Sequence, residues 1–397
     1  MEGLMKRSRI IESVLKMRFE EIYDRFRLGG VSCEEAADLL GVSSRTFLRK
    51  RERYEEEGAE VQFDRRLDRR SSNRAADEEV ERITKLYADR FRGFSVKHFH
   101  EFAQREYGLI YGYTWTKNHL EGAGLVKREK RGGPHRLRRE RKPMAGMMLH
   151  QDASTHEWIP GLGCNVDLIV TMDDATSLIT SAFFTAQEGT RSSFLGIEET
   201  IERHGLFCSF YTDRGSHYAY TPEAGGKVDK SRLTQVGRAL KQLGVRHILA
   251  YSPQARGRSE RMFSTLQGRL PKEIALAGIK TLEEANRFLR KTYLPRHNAQ
   301  FSVEPAESQS AYIPWAGNAL EEILCIKEER TVQPDNTLSY GGKKYQIPAD
   351  AHRYHYVKTK VEVRSYKDRT VGVFYGHRRL GRYTQAGGLQ DDLQLAA

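Results

Sequence analysis

The sequence pattern changes from helical to β-like near residue 147, and this change most limits the folds open to the chain. Before it, apolar residues recur with a helical period, as in the segment 10–19. After it, short apolar runs at 147–152, 166–173 and 178–184 suit three consecutive strands, and helix-like segments then alternate with further strands. We therefore predict a multidomain α+β chain with helical modules first and a mixed-sheet α/β domain after them.

Residues 1–62 carry the pattern of a helix-turn-helix domain. Ser32 can cap one helix, with Glu35 three residues later completing a capping box, and Gly41 can end it. Ser43 can cap a second, basic helix, which suits a DNA major groove and its phosphates. The alternative is a helical hairpin with a solvated basic face. The candidate DNA-binding residues on the second helix are Ser44, Arg45, Arg49 and Lys50.

A second helical module is predicted over residues 75–125. Its apolar residues suggest three helices, and we interpret it as another helix-turn-helix-like DNA-binding unit. Lys117 on the third helix is its candidate DNA contact. The alternative is a helical module that serves packing alone.

Residues 126–145 form a basic linker. Between Lys127 and Lys142 the chain has nine Lys or Arg residues against two acids. Such a segment makes a poor core but can follow a phosphate backbone, with a solvated tether as the alternative. The predicted DNA contacts here are Arg128, Lys130, Arg131, Arg136, Arg138 and Arg139.

The charge of the chain favours a polyanionic partner. The net charge is +12 and the pI about 9.4, which points first to nucleic acid and second to an anionic membrane surface. No run approaches ~18 apolar residues, and the N-terminus lacks the apolar core of a signal peptide, so we expect a cytoplasmic protein with no membrane partner. The four scattered cysteines predict reduced core residues rather than disulfides or zinc ligands.

Residues 328–385 predict a small basic β-barrel or sheet. Gly341-Gly342 suggests a hairpin turn between two alternating runs. The segments 354–363 and 370–374 alternate as strands, and 377–380 suggests one more.

Three acidic residues within 146–315 stand out by their surroundings. Asp152 closes the first predicted strand, and Asp213 follows a strand that ends at Thr212. Glu260 lies on a basic, helix-like segment after a loop rich in Pro and Gly. Carboxylates are costly to bury unless they pair with charge or bind metal, and Mg²⁺ or Mn²⁺ prefers oxygen ligands. The trio therefore predicts a two-metal phosphoryl-transfer site.

Each acid alone has a simpler interpretation, as a strand-end cap or as an ion-pair partner on a basic helix. Three acids in order, each in matching surroundings, favour the catalytic interpretation. Asp173 and Asp174, also at a strand end, are predicted to be turn residues rather than ligands. His217 and Gln254 are further candidates for positioning DNA.

Glu260 also fixes the orientation of its predicted helix. Ser264 and Gln267 share its face, whereas Phe263, Leu266 and Leu270 form an apolar stripe and are predicted to be core. The basic residues that flank the acid could grip DNA phosphates beside the metals or could form a solvated face. They are Arg256, Arg258 and Arg261.

These surroundings resemble the DDE transposase/retroviral integrase superfamily. The matching segments are Gln151-Asp152, Thr212-Asp213-Arg214-Gly215-Ser216, and Ser252-Pro253-Gln254 followed by Gly257, Glu260 and Arg261. With its helix-turn-helix, basic linker and C-terminal β domain, the chain is more specifically similar to insertion-sequence transposases of the ISNCY type. The resemblance implies an RNase H-like core over 146–315 in which two Mg²⁺ or Mn²⁺ ions bind the catalytic residues Asp152, Asp213 and Glu260.

The resemblance also implies a function. The chain would bind transposon ends, cleave there, and join the 3′-hydroxyls to target DNA. It would act as a homo-oligomer assembled on double-stranded DNA, in the bacterial cytoplasm and at the nucleoid when bound. Two alternatives stay open: a sequence-specific DNA-binding regulator with an inactive RNase H-like domain, and an RNase H-like nuclease without joining activity.

The chain departs from the pattern at one point. Between Asp213 and Glu260 lie 46 residues, more than in retroviral integrases. We place the excess in the Gly-rich segment 220–230, which leaves the surroundings of Glu260 intact.

Overall fold

The computed structural model describes residues 2–58, 75–127, 140–222, 226, 228–229, 231–250, 257–317, 320–349 and 352–390, with side chains from residue 10 onwards. The chain divides into two compact units, residues 1–131 and 132–397. Each unit is described by itself.

The described part of the first unit is helical. Its helices are α1 (Glu2–Arg27), α2 (Cys33–Leu40), α3 (Ser44–Glu57), α4 (Asp77–Arg90), α5 (Val96–Tyr107) and α6 (Tyr113–Gly122). The side chains that α1, α2 and α3 bury together are Phe19, Ile22, Ala36, Ala37 and Phe47.

The predicted helix caps of the first unit are confirmed. The Ser32 hydroxyl accepts a hydrogen bond from the Glu35 amide at 3.2 Å, and the Glu35 carboxylate accepts one from the Ser32 amide at 2.7 Å. Gly41 ends α2 with a left-handed φ of 64°, and the Ser43 side chain caps α3. The caps leave a short turn between α2 and α3, as a helix-turn-helix requires.

A mixed five-stranded sheet forms the centre of the second unit, as predicted. Its strands are β1 (Leu149–His156), β2 (Val166–Asp173), β3 (Ile179–Thr185), β4 (Ser209–Thr212) and β5 (Arg246–Leu249). The spatial order is β3-β2-β1-β4-β5. The first three strands are antiparallel neighbours, and β4 and β5 run parallel to β1. Both sheet faces are covered by helices of this unit: α7 (Thr190–His204), α8 (Gln235–Gln242), α9 (Gly257–Leu276), α10 (Leu282–Phe288) and α11 (Leu294–Phe301).

The predicted end of the first strand is wrong. Asp152 does not close β1 but lies in its middle, opposite Val170 of β2, and the pairing continues to His156. The apolar run of β1 stops before Asp152, but hydrogen bonds to β2 continue the strand through the polar residues that follow.

The C-terminal strands form an open sheet and a hairpin, and in the described residues they do not close into the predicted barrel. The sheet has the order β12-β11-β10-β9-β6, and β7 and β8 pair only with each other. Leu338 and Tyr345 of the hairpin pack into the core of the sheet. Gly341 and Gly342 turn the hairpin with φ values of 57° and 76°, as predicted. The strands are β6 (Ile326–Thr331), β7 (Thr337–Tyr340), β8 (Lys343–Gln346), β9 (Lys360–Ser365), β10 (Val371–Tyr375), β11 (Arg378–Tyr383) and β12 (Leu389–Gln390).

Candidate active site

Asp152 lies on β1, and Asp213 directly follows β4, the parallel neighbour of β1. β1 and β4 are paired at Leu149–Phe210 and His150–Tyr211. Each aspartate comes two residues after the second of these pairs, and the paired strands lie about 4.8 Å apart. Both side chains are half-buried.

The site lies where the order of the sheet changes direction. From β1 the chain builds outward to β2 and β3 on one side, and it later returns to place β4 and β5 on the other. The pairing of β1 with β4 ends at His150, so the two strands are free to separate beyond it. A crevice at the carboxyl ends of strands, at such a change of order, is where open α/β sheets bind ligands.

The helix that carries Glu260 packs on the sheet face to which Asp152 belongs. Asp152 lies directly opposite Val170, and paired residues on neighbouring strands point to the same face. Val170 is buried against α9 in one hydrophobic cluster with Phe263 and Leu266, which confirms the prediction that these two are core residues. Asp152 and α9 therefore share one face of the sheet.

Two contacts show that α9 runs alongside β1. At its start, Arg258 contacts Asp174, whose carboxylate also contacts His150. Nine residues later, Gln267 donates a hydrogen bond to the Ser154 hydroxyl at 3.1 Å. Nine helical residues and four strand residues both span about 13 Å, so α9 and β1 cover the same length between the two contacts.

Glu260 is placed by these contacts on the side of α9 nearest the first strand. It lies two helical turns before Gln267 and therefore on the same helix face. Its level along the helix, two residues after Arg258, corresponds to the Gln151–Asp152 region of β1. Glu260 is exposed at its position in the first turn of α9.

A buried hydrogen-bond network supports the two aspartates from the opposite sheet face. The Tyr218 hydroxyl donates to the Gln151 side-chain oxygen at 2.8 Å and lies 3.1 Å from the Ser193 hydroxyl of α7. Gln151 precedes Asp152, and Tyr218 belongs to the loop that begins at Asp213. The network therefore connects the two strands beyond their last shared pair.

Burial and nearby negative charge both act on the ionisation of Tyr218. Burial raises the pKa of Tyr218 well above its ordinary value, so the phenol stays neutral and remains a hydrogen-bond donor. Nearby negative charge raises this pKa further, and it comes from Glu188, Asp213 and Asp152.

Glu188 is a carboxylate near the site that the sequence did not indicate. It lies between β3 and α7, with its side chain half-buried and Oε1 3.4 Å from Nε2 of His217. The fold, and not a motif in the sequence, brings Glu188 to the loop after Asp213. His217, a sequence candidate for positioning DNA, has this carboxylate as a neighbour.

Asp173 and Asp174 are structural residues of the turn after β2, as predicted. Asp173 accepts hydrogen bonds from the Gly146 and Thr176 amides at 2.7 and 2.9 Å. Asp174 is fully buried. Burial alone would raise the pKa of Asp174, but hydrogen bonds from His150, the Lys142 backbone and Arg258 hold it well below its ordinary value.

The chemistry of the acidic trio suits hard divalent cations. Carboxylate oxygens are the donors that Mg²⁺ and Mn²⁺ prefer. Among the described residues, however, no three His, Cys, Asp or Glu side chains are gathered closely enough to hold a metal ion. The structure places Asp152 and the helix α9 on the same face of the sheet.

Comparison with known proteins identifies the family. Residues 27–82 match a family described as winged helix-turn-helix. The transposase y4bF of Sinorhizobium fredii is 30% identical over 365 residues, which is 90% of this chain and 78% of that protein. This chain belongs to the transposase family. A transposase for insertion sequence IS1202 from Streptococcus pneumoniae is 29% identical over 363 residues, covering 82% of this chain and 76% of that protein.

Solved structures give weaker similarities to this transposase. The intasome of simian T-cell lymphotropic virus, in complex with a PP2A regulatory subunit, has a chain that is 13% identical with a TM-score of 0.33, covering 75% of this chain and 97% of that one. The catalytic core of HTLV-2 integrase with magnesium is 14% identical with a TM-score of 0.28, covering 38% of this chain and 89% of that one. Scores this low do not establish a shared fold.

The predicted DNA contacts of the transposase have different surroundings. On α3, Arg45 and Arg49 are exposed, and Ser44 and Lys50 are half-buried. Lys117 pairs with Glu121 at 3.8 Å on α6. Arg261 is exposed, whereas Arg258 has an internal partner that the sequence did not predict. Eight candidates lie outside the described residues: Arg128, Lys130, Arg131, Arg136, Arg138, Arg139, Gln254 and Arg256.

The helices of the transposase do not have the character of membrane spans in the part of the chain that the structure describes. Within the described ranges, it has no helix that combines the length and the apolar character needed to cross a bilayer.

Proposed function

We propose that this transposase cleaves DNA at the ends of its mobile element and joins the resulting 3′-hydroxyls to target DNA, with Asp152, Asp213 and Glu260 as ligands of two Mg²⁺ or Mn²⁺ ions. One observation carries the proposal. Asp152 on β1 and Asp213 just after β4 each come two residues after the last pair that joins these strands, and the sheet is packed against the helix that bears Glu260.

The protein's own contribution is to hold the carboxylates in place. When bound, the metals would activate a water or a 3′-hydroxyl and stabilise the leaving oxygen. Asp152 is fixed by strand pairing on β1, and its Oδ1 accepts a hydrogen bond from the Ala153 amide at 2.9 Å. Oδ1 of Asp213 accepts one from the Gly215 amide at 2.8 Å. Such support limits the movement of the ligands during the reaction.

Under this proposal, the helix-turn-helix recognises the ends of the element. The exposed Arg45 and Arg49 lie on the second of the two helices, the one that enters the major groove in such domains. Because two ends have to be joined together, we propose that the transposase works as a homo-oligomer on double-stranded DNA.

The test is strand transfer by single-acid variants with Mg²⁺ on DNA that contains the element ends. We expect Asp152→Asn, Asp213→Asn and Glu260→Gln each to lose cleavage and joining while end binding remains. Glu157→Gln is the matched control, since this exposed acid follows β1 but lies outside the trio. We expect it to keep wild-type activity.

The assay also separates the alternatives. Wild-type joining by Asp152→Asn would refute the assignment of the acids. Nicked products that are never joined, made by the wild-type chain, would indicate a nuclease. Tight end binding by the wild-type chain without metal-dependent cleavage would indicate a DNA-binding regulator.

A further inference from the structure

We propose that Asp174, His150 and Arg258 form an anchor that positions Glu260 for metal binding. We call these three residues the Asp174 anchor. The inference rests on the proposed function, because it assigns positioning residues to the same metal site. None of the three is itself proposed as a ligand.

The Asp174 anchor joins the strand and the helix that carry two of the acids. His150 is two residues before Asp152 on β1, and Arg258 is two residues before Glu260 on α9. His150 Nε2 lies 2.7 Å from Asp174 Oδ1, and the Arg258 guanidinium contacts the same oxygen. One carboxylate therefore contacts each segment two residues before its proposed catalytic acid.

The anchor is built into the interior. Asp174 is fully buried and His150 is 3% exposed, and the Arg258 side chain is 16% exposed. The second carboxylate oxygen of Asp174 accepts a hydrogen bond from the Lys142 amide at 2.8 Å. Both oxygens of this buried carboxylate already have partners within the protein, so Asp174 is poorly placed to bind metal.

Glu260 needs such support because of its position in the helix. It lies in the first turn of α9, and first turns fray because their amides have no partner within the helix. An arginine in that turn is opposed by the helix dipole, which favours negative charge at this end. The carboxylate of Asp174 offsets this effect and fixes the turn.

A second contact makes the positioning specific. Gln267 binds Ser154 two turns after Glu260 and sets the rotation of α9 against β1. The Asp174 anchor sets the position of the first turn itself. With both contacts, Glu260 is held towards Asp152; with the second alone, the turn that carries Glu260 is free to move.

The test compares Asp174→Asn and Arg258→Gln with Glu273→Gln in the full-length chain. Glu273 is the matched control: it is a buried acid of the same helix, paired with Arg296 at 2.9 Å, but lies 13 residues beyond Glu260. Two quantities are measured. One is amide hydrogen exchange along α9, and the other is the Mn²⁺ concentration that gives half-maximal cleavage of end-containing DNA.

We expect the anchor variants to exchange faster in the first turn of α9 and to require ~10- to 100-fold more Mn²⁺, as is usual when residues that orient metal ligands are lost. Saturating Mn²⁺ should restore most of the cleavage rate. Arg258→Lys should recover part of the metal affinity because it keeps the charge. Glu273→Gln should loosen only the far end of α9 and leave the Mn²⁺ requirement unchanged.

Two results would overturn the inference. One is an unchanged Mn²⁺ requirement in both anchor variants. The other is faster exchange throughout the second unit, which would show that the cluster supports overall stability and not the position of Glu260. If the wild-type chain shows no metal-dependent cleavage, the proposed function fails, but hydrogen exchange still decides whether the anchor holds the first turn.

Discussion

Gly196 of α7 provides the sharpest test of how the helix meets the sheet beneath the active site. A Cβ atom at this position would lie 2.3 Å from Nε2 of Gln151 and 3.0 Å from Oγ1 of Thr171. Ordinary contacts, at about 3.5–4.0 Å, are more than 1 Å longer than the first of these distances. Gly196→Ala therefore forces the buried Gln151 side chain to move.

The cost follows from the hydrogen bonds of Gln151. Its amide donates to Thr171 Oγ1 at 3.0 Å and to the Ser193 carbonyl at 3.3 Å, and its oxygen accepts from Tyr218 at 2.8 Å. Each buried polar group left without a partner costs about 1–3 kcal/mol. Replacing glycine by alanine within a helix stabilises the helix by about 1 kcal/mol, which offsets part of this cost. With two of these groups disturbed, we expect Gly196→Ala to lower the free energy of unfolding by about 1–5 kcal/mol.

Gly268→Ala is the control, because a Cβ added to this exposed glycine of α9 would have no atom within 4 Å, and the variant should gain up to about 1 kcal/mol. Urea unfolding measures both variants, and hydrogen exchange in β1 and α7 assigns the transition to this unit. Gly196→Ala should also slow strand transfer, since Gln151 adjoins Asp152. A Gly196→Ala protein as stable as the wild type would refute the described packing of α7 on Gln151.

Three further predictions concern the supporting network, DNA binding and pH. Tyr218→Phe keeps the ring but removes the donor to Gln151, so the free energy of unfolding should fall by about 1–3 kcal/mol, and an unchanged urea midpoint would contradict the network. Arg49→Ala should weaken end binding and reduce by about 1 the slope of log affinity against log salt, and a slope equal to that of the wild type would exclude a phosphate contact. Burial lowers the pKa of His247 and of His297 to about 4, below the ordinary value for histidine. The unfolded chain therefore takes up these protons first, and the unfolding free energy should fall as pH decreases from about 6.5 to 4, by up to roughly 3 kcal/mol for each histidine. His297→Gln should flatten this pH dependence in urea titrations, and a profile identical to that of the wild type would contradict the burial of a neutral ring.

Local sequence signals predicted the features that depend on neighbouring residues. The capping box of Ser32 and Glu35 and the glycine turn of the C-terminal hairpin involve residues only a few positions apart, so their chemistry was visible in the sequence. The extents of β1 and β6 were not visible. β1 continues through polar residues because β2 pairs with it. β6 has the polar sequence IKEERT, and its partner β9 lies about thirty residues later.

Side-chain partners far apart in the sequence could not be predicted. Arg258 and Asp174 are 84 residues apart, and Tyr218 and Gln151 are 67 apart. An exposed-looking arginine beside Glu260 suggested a DNA contact because nothing nearby in the sequence offered a buried acid. The acidic trio, by contrast, was recognisable because each member sits within a short characteristic segment.

The two separate supports of the acids have a consequence for how such chains diverge. Asp213 is positioned by the pairing of β4 with β1, and α9 is positioned by its own contacts with β1 and β2. Neither support depends on the length of the chain between Thr212 and α9, and lengthening a loop costs little free energy. That segment can therefore accumulate insertions, as its 46-residue spacing suggests, while the acids keep their places. The spacing between the acids is thus weak evidence of evolutionary relationship in this part of the chain, and the short motifs around each acid are stronger evidence.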